Sequence, residues 1–335
     1  MADYTVPSTA VTAAPATTFD LPNFVGELFS LIPAQTPLLS MSGGLTGGKS
    51  IAAKEFGWEV EDNAAAALNN SKMEGKDPTP SAVIRQYIKN VVEIHQESVN
   101  ISYSKQAAIG ALGAGGDAAA DNTGYSIKSP QILGTQPVSG EIPHQLALKI
   151  NKIARDVEMS FLNGVYAQPN DNTAPRKTRG VLTSITTHKV AYTASLRASL
   201  NKMLAGMYED EMKVAPLIQP VLFMNGTTKT KLSLDYTNNM GLADRSRTIG
   251  GVNVETIVTD FGTFGVVLDR YMAKDALALL DMSVIAPCFL PIPGKGHFFT
   301  EPLAKTGAYD HVQIYGEIGI EYGPEQFHGL IHTIT

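Results

Sequence analysis

The spacing of apolar positions changes several times along the chain, and each change marks an element. Over residues 139–164 apolar side chains recur at Ile142, Leu146, Ile150, Ile153, Val157 and Phe161, the three-to-four spacing of a helix with one buried face. Ser139 is placed to cap it, Pro143 falls in the first turn where a missing N–H costs little, and Gly164 is placed to end it. Lys149, Lys152 and Asp156 mark its wet side. At 1.5 Å per residue such a helix is about 36 Å long. A second amphipathic helix is predicted from near Ser195, with Leu196, Leu200, Met203, Leu204 and Met207 on one face. Two strand-like runs lie earlier: Ile51 to Val60, and Ser81 to Tyr103 with a period of two at Val92/Ile94 and at Val99/Ile101/Tyr103. Polar, Ala- and Asn-rich residues ending in Asp77-Pro78-Thr79-Pro80 separate them. The pair reads as a long hairpin with a soft tip. A lone hairpin is barely stable in water, so such an arm calls for a partner surface.

The remaining segments are less periodic. Residues 1–20 show neither helical nor strand spacing and read as an extended arm. Phe24 to Ile32 is apolar enough for a short helix, ended by Pro33 and Pro37. A Gly/Ala segment, Ala107 to Gly124, precedes the long helix, and residues 166–180 form a turn-rich linker. After the second helix come Val221-Leu222-Phe223-Met224, a polar loop from Asp235 to Gly251, and strands at Val252–Val258 and Thr263–Leu268. The end of the chain is strand-like, with Gln313–Glu321 and Gly329–Ile334 as its clearest runs. Segregated helices and mostly antiparallel strands predict an α+β fold.

Composition narrows the classes. The chain has 335 residues, is 44% hydrophobic and only 17% charged, and carries a net charge of −6, against about 25% charged for ordinary globular domains. An acidic balance argues against a protein whose main task is to grip phosphate backbones. No run approaches the ~18 apolar residues of a membrane span, and no signal peptide is visible at the N-terminus. The single cysteine, Cys288, excludes a disulfide framework and cysteine-based zinc clusters and fits a reducing compartment. The low charge is unevenly placed. Residues 1–53 carry only Asp3, Asp20, Glu27 and Lys49, whereas residues 54–105 are dense in both signs. Because interface cores are depleted in charge, this distribution points to surface hidden by assembly.

Motifs that promise chemistry are few. Gly43 to Ser50 (GGLTGGKS) fits the phosphate-cradling pattern GxxxxGK[ST]. That pattern needs a buried strand before it and a helix after it. Here Ala34 to Ser40 make a poor central strand, and Ile51 to Val60 read as a strand, so a glycine-rich turn is the favoured reading. Asp260-Phe261-Gly262 spells the kinase magnesium triplet without any companion motif and reads as a strand-to-strand turn. His328 and His332 stand four apart with no third ligand. Cys288, between Pro287 and Phe289, reads as a buried structural thiol. No GxSxG elbow is present, and Arg176-Lys177-Thr178-Arg179 reads as a solvated loop. No catalytic centre, cofactor or metal is predicted.

Several local sequences, taken in order, carry a specific resemblance. They are Phe56-Gly57-Trp58-Glu59 in the first arm strand, Arg155-Asp156-Val157-Glu158 on the long helix, and Thr259-Asp260-Phe261-Gly262 with Asp269-Arg270 downstream. The last is Leu303-Ala304-Lys305-Thr306-Gly307 followed by Gln313 to Glu321. Over roughly residues 20–335 the chain resembles the major capsid proteins of tailed bacteriophages, the Hong Kong 97-type fold, and within it the SU-ten-like subgroup of major head proteins. The resemblance implies an N-terminal arm (1–50), an extended hairpin loop (51–104), and a peripheral domain (105–190, with a spine helix at 140–164, and returning strands at 289–335). It implies an axial domain (191–288) with its Asp235–Arg247 loop near a symmetry axis. Inter-subunit contacts are expected at Trp58, Lys72, Lys76, Arg85, Asp235, Arg245 and Arg247. Lys72 and Lys76 lie in the loop tip, but no crosslinking motif surrounds them.

The implied role is a structural subunit, not an enzyme, that self-assembles into hexamers and pentamers of an icosahedral head around double-stranded DNA. The expected partners are its own copies, portal and scaffolding proteins, decoration proteins and non-specifically held DNA, with no membrane. Assembly is expected in the host bacterial cytoplasm, and the short arm leaves no room for a fused scaffolding domain. The competing readings are an encapsulin-like compartment shell and, from another class, a P-loop nucleotide hydrolase acting through Gly43–Ser50.

Overall fold

The computed structural model describes residues 35–61, 66, 68–107, 141–209, 217–237, 246–249 and 252–334. The expected arm over residues 1–20, the helix Phe24–Ile32, the Ser139 cap, the Gly/Ala segment beyond Ala107 and Arg245 lie outside the described residues. In chain order the elements are α1 (Pro37–Ser42), β1 (Lys49–Ser50), β2 (Glu55–Glu61), β3 (Arg85–Val91), β4 (Glu93–Ser102), α2 (Tyr103–Ala107), α3 (Glu141–Asn163), α4 (Val181–Ser184), β5 (Lys189–Ala191) and α5 (Leu196–Glu209). They continue as β6 (Pro220–Met224), α6 (Gly226–Thr237), β7 (Ser246–Ile249), β8 (Val252–Thr259), β9 (Gly262–Leu268), β10 (Leu277–Asp281), β11 (Ala286–Phe289), β12 (Phe299–Pro302), β13 (Tyr309–Glu321) and β14 (Gly329–His332). The mixture is α+β.

Two sheets organise the molecule. One has five strands, β1-β11-β13-β12, with β4 also paired to β13 along almost the whole of its length, from Ser102 opposite Tyr309 to Glu93 opposite Ile318. The other has seven, ordered β5-β14-β10-β6-β9-β8-β7. Most pairings are antiparallel, while β1–β11, β14–β5 and β6–β9 are parallel. Gly329–His332, expected among the returning strands of the peripheral region, is hydrogen-bonded into the seven-stranded sheet. Ala286–Phe289 joins the five-stranded one.

The centre of the seven-stranded sheet is buried on both faces. Val221 and Phe223 of β6, Ala278 and Leu280 of β10 and Val267 of β9 point into a core shared with α3 and the five-stranded sheet. Leu222, Met224, Leu277, Leu279 and Val266 point the other way, against α5. Burial on both sides explains why VLFM and LALL read as continuous apolar runs with no period. The face of α5 is the expected one: Leu196, Leu200, Met203, Leu204 and Met207 are all buried. In α3 the burial is confined to the second half, at Ile153, Val157, Glu158, Phe161 and Leu162, while Ile150 is 42% exposed. Gly164 follows its last residue, as expected. A Cβ there would lie 2.4 Å from the carbonyl oxygens of Ser160 and Thr178, so only glycine lets the linker return so closely.

Three expectations are corrected. Pro37, read as a helix breaker, is the first residue of α1, in the first turn where it has no N–H to leave unpaired. The second strand run is divided at Val92 into β3 and β4. Val92 stands between the two ladders, its N–H given to the Lys54 carbonyl at 3.0 Å, and the alternation reverses there, so Val92 is buried and Ile94 is 45% exposed, with His95, Val99 and Ile101 facing inward. Asp235 lies in helix α6 rather than in a polar loop, and residues 246–249 form β7 paired to β8. The Thr-rich sequence of α6 buries Leu232 with little else to mark a face, so its periodicity is weak. β10, buried at every position, carries no period of its own.

Candidate assembly surface

The hairpin of β2 and β3 forms a two-stranded sheet of its own, from Glu55 opposite Val91 to Glu61 opposite Arg85. Its base is pinned to the body by two side chains. The Trp58 indole N–H donates to the Gly323 carbonyl at 2.9 Å and its ring meets Tyr322 edge-on at 4.8 Å. Asn90, fully buried, donates to the carbonyls of Arg179 (3.1 Å) and Ile320 (2.8 Å) and accepts the Arg179 N–H at 2.8 Å. Phe56 lies against Gly319, where a Cβ would approach its ring to 2.8 Å. The base is therefore part of the body's core, and Trp58 is half-buried within its own chain.

Beyond the base the hairpin leaves that body. Arg85 pairs with Glu59 (3.6 Å) and Glu61 (3.3 Å), and Lys89 with Glu55 (3.4 Å), all across the two strands and all accessible to water. Such exposed pairs contribute at most about 1 kcal/mol each, enough to favour one register over a slipped one. Residues 68–84 run through turns and irregular chain, with Gly75 at φ +78° and a Lys76 N–H to Met73 carbonyl bond. Lys72 and Lys76 are exposed there. So are apolar side chains: Leu68, Met73, Val83, Ile84 and Tyr87 are each more than half exposed. The distal arm thus combines uncovered apolar groups with a firmly seated base.

The other expected contact residues are dispersed. Asp235 sits at the end of α6, where its Oδ2 accepts the Ser195 hydroxyl (2.9 Å) and the Leu196 N–H (2.7 Å), holding the N-terminus of α5. Arg247 lies in β7 opposite Val254. Sequence reasoning missed Asn90 and Glu158, the two buried polar groups that fasten the hairpin base and α1. Nothing in local spacing marks them, because their partners lie far away in the chain.

The motifs that suggested chemistry resolve into structural roles. In GGLTGGKS the helix, α1, precedes the glycines, and Lys49-Ser50 enter strand β1 instead of a second helix. The Gly44 N–H is taken by the Leu39 carbonyl and the Gly47 N–H by the Gly43 carbonyl. Lys49 pairs with Glu321 at 2.7 Å. The favoured reading, a glycine-rich turn, agrees with this geometry: the Gly44 and Gly47 amides and the Lys49 ammonium are all engaged within the chain. Asp260-Phe261-Gly262 is the β8–β9 turn, with Gly262 at φ +132° and the Thr259 hydroxyl bonded to the Gly262 carbonyl. His328 is fully buried. Its Nδ1 accepts the Asp281 N–H (3.2 Å) and its Nε2–H donates to the Tyr322 carbonyl (2.7 Å). Burial pushes its pKa down to about 4, so the ring is neutral. Cys288 is buried beside Glu321, and burial pushes its thiol up to about 12. Among the described residues no cluster of three or more His, Cys, Asp or Glu is arranged to hold a metal ion, and no helix is long and apolar enough to cross a membrane. Two open hollows among the described residues, of about 410 Å³ between β4 and α3 and about 650 Å³ beside the 168–176 loop, are lined largely by polar side chains.

Two sheets, a long helix packed on one of them and a projecting hairpin define the class: an α+β fold of the Hong Kong 97 type. Solved structures share this fold at low identity. The capsid of a native GTA particle is 12% identical with a TM-score of 0.57, covering 97% of this chain and 100% of that one. The capsid of cyanophage P-SCSP1u is 9% identical with a TM-score of 0.52, covering 94% and 93%. The holo-SrpI encapsulin of Synechococcus elongatus PCC 7942 is 10% identical with a TM-score of 0.56, covering 94% and 92%. No curated protein sequence matches the chain. The family model of the SU10 major capsid protein matches residues 8–335, and the chain belongs to that family. Its role is that of a major capsid protein, a component of the virion shell. The fold is common to capsids and an encapsulin, and the family match favours the capsid over the compartment shell.

Proposed function

We propose that this chain closes into an icosahedral head of hexamers and pentamers enclosing double-stranded DNA, and that the hairpin is the element that spans from one subunit to the next. The observation that carries the reading is the hairpin itself, seated at its base by Trp58 and Asn90 and bare of intrachain cover at Leu68, Met73, Val83 and Ile84. Contacts of this kind are individually modest and become decisive when repeated over a closed shell. Lys72 and Lys76 at the tip meet the neighbour, and the neighbour covers the remaining face of Trp58. Arg85 keeps the hairpin in register through Glu59 and Glu61.

In the same reading the five-stranded sheet with α3 is the peripheral domain. The seven-stranded sheet, β14 included, is the axial domain, with Asp235, Arg245 and Arg247 toward the symmetry axis. An acidic subunit suits an interior that must let DNA slide while it is packed. Portal, scaffolding and decoration proteins are the expected partners, assembly takes place in the host bacterial cytoplasm, and no catalytic step or cofactor is invoked. A reconstruction of the assembled particle tests this arrangement. Hairpins lying over neighbouring subunits, with the β7–β8 end at the five- and six-fold positions, are the expected result. Hairpins folded back on their own subunit would overturn it.

A further inference from the structure

The start of α1 is held in an unusual way. Pro37 has no N–H, so the amides of Leu38 and Leu39 are the first that need an acceptor, and both residues are essentially inaccessible to water. Thr36, at the capping position, makes no capping bond. The acceptor comes from 120 residues away. Glu158 of α3, itself fully buried, accepts Leu38 N–H on Oε1 at 2.8 Å and Leu39 N–H on Oε2 at 2.7 Å. Asp269, just after β9 and 1% exposed, lies within hydrogen-bonding reach of the same carboxyl. Its Oδ1 accepts the Tyr271 N–H at 2.8 Å, and its Oδ2 has no donor from any neighbouring group.

Two buried carboxyls in contact cannot both be ionised, and the one donor their geometry leaves room for is a proton between them. We propose that Glu158 and Asp269 form a proton-held latch that fastens α1, where the chain leaves its N-terminal segment, onto the spine helix, and that alkaline solution releases it. The neighbouring charges do not supply an alternative donor. Arg155 on α3 and Arg270 flank Tyr271, whose phenol burial pushes upward. α1 (PLLSMS) and α4 (VLTS) bring no titratable group. Glu255 of β8 is paired with Lys229, and Cys288 of β11 is a buried neutral thiol. On the other faces packed against α3, β4 brings Glu93, His95 and Glu97, the last paired with Lys149 and Lys152. There β13 brings Asp310 and Glu317, paired with Lys305 and Arg176, Glu321, paired with Lys49, and the ring of His311 beside Tyr309.

The direction in pH follows from the proton count. Burial and the neighbouring Asp269 push Glu158 up from 4.5 to about 9, and burial raises Asp269 as well. Between those values the folded form keeps a proton that the released form gives up, so the latched state loses stability as pH rises through that window. Above it a second charge remains buried without compensation.

The test uses the full chain before assembly, so its outcome is independent of the shell reading. Amide hydrogen exchange over residues 37–42 is compared between wild type and Asp269→Asn at about pH 7 and about pH 10, pairing samples at equal pH so that intrinsic exchange cancels. Asparagine keeps the acceptor for Tyr271 N–H and supplies a permanent N–H donor to Glu158. At high pH wild type should lose protection at least ten-fold relative to Asp269→Asn. Glu158→Ala should lose it at both pH values, while the amides of α5 stay protected as a check on folding. Infrared spectroscopy of wild type should show a protonated carboxyl at neutral pH that disappears in alkali. Unchanged wild-type protection at high pH, an equal pH response in Asp269→Asn, or no protonated carboxyl at neutral pH would each overturn the latch.

Discussion

Buried polar residues decide much of the behaviour of this subunit one side chain at a time. His328 must stay neutral, since its Nδ1 is an acceptor for the Asp281 N–H and charging it would break that bond. Its pKa falls from 6.5 to about 4 through burial, and that of His95, whose Nε2 is buried without a partner, falls likewise. The unfolded chain therefore binds protons that the fold refuses between those values. The contribution of the neutral rings is complete above about pH 6.5 and is lost as pH falls toward 4, by on the order of 3 kcal/mol for His328. Denaturant unfolding at a series of pH values should show this slope, and His328→Gln, which keeps an acceptor and a donor, should flatten it. Identical slopes for the two proteins would exclude the assignment. Trp58 offers a second residue-scale test. Trp58→Phe keeps a ring against Tyr322 but loses the bond to Gly323, and should cost about 1 kcal/mol of unfolding free energy.

Legibility in the sequence divides along the same physical line. The hydrophobic face of α5 could be read residue by residue because it repeats at short spacing. Glu158 stood in a quoted motif on the spine helix, yet its function was invisible there, since its bonds run to Leu38 and Leu39. Asn90 was hidden for the same reason.

The amphipathic helices α3 and α5 were legible from their spacing, and β8 and β9 as runs on either side of a turn, even though β9 is buried on both faces. β6 and β10 are buried on both sides and carry no period, and α6 has too weak a face to register. In α3 the apolar stripe continues to Ile142, but full burial is confined to the second half, with Leu146 partly buried against the core. The hairpin is the element on which assembly is proposed to depend. Glu61 and Arg85 stand directly opposite each other, so replacing residues 62–84 with an Asn-Gly turn closes the two strands in register. The shortened chain should keep its fold and its Trp58 emission while losing the ability to assemble, as followed by sedimentation. Assembly as efficient as wild type would remove the hairpin from that role.

At the scale of the whole molecule, the low charge that first suggested hidden surface has a structural counterpart. Only 17% of the residues are charged. Many of those described are paired within the chain: Lys49 with Glu321, Arg176 with Glu317, Lys152 with Glu97 and Asp156. Among the described residues, uncovered apolar groups include a run on the hairpin, at Leu68, Met73, Val83, Ile84 and Tyr87. Together with membership of the SU10 major capsid protein family, this makes self-association the central property of the chain. The most direct measurement is negative-stain microscopy with light scattering of the purified, full-length protein over a range of salt and concentration. Closed particles of uniform size are the expected result. A stable monomer of 35.8 kDa under every condition would contradict the account.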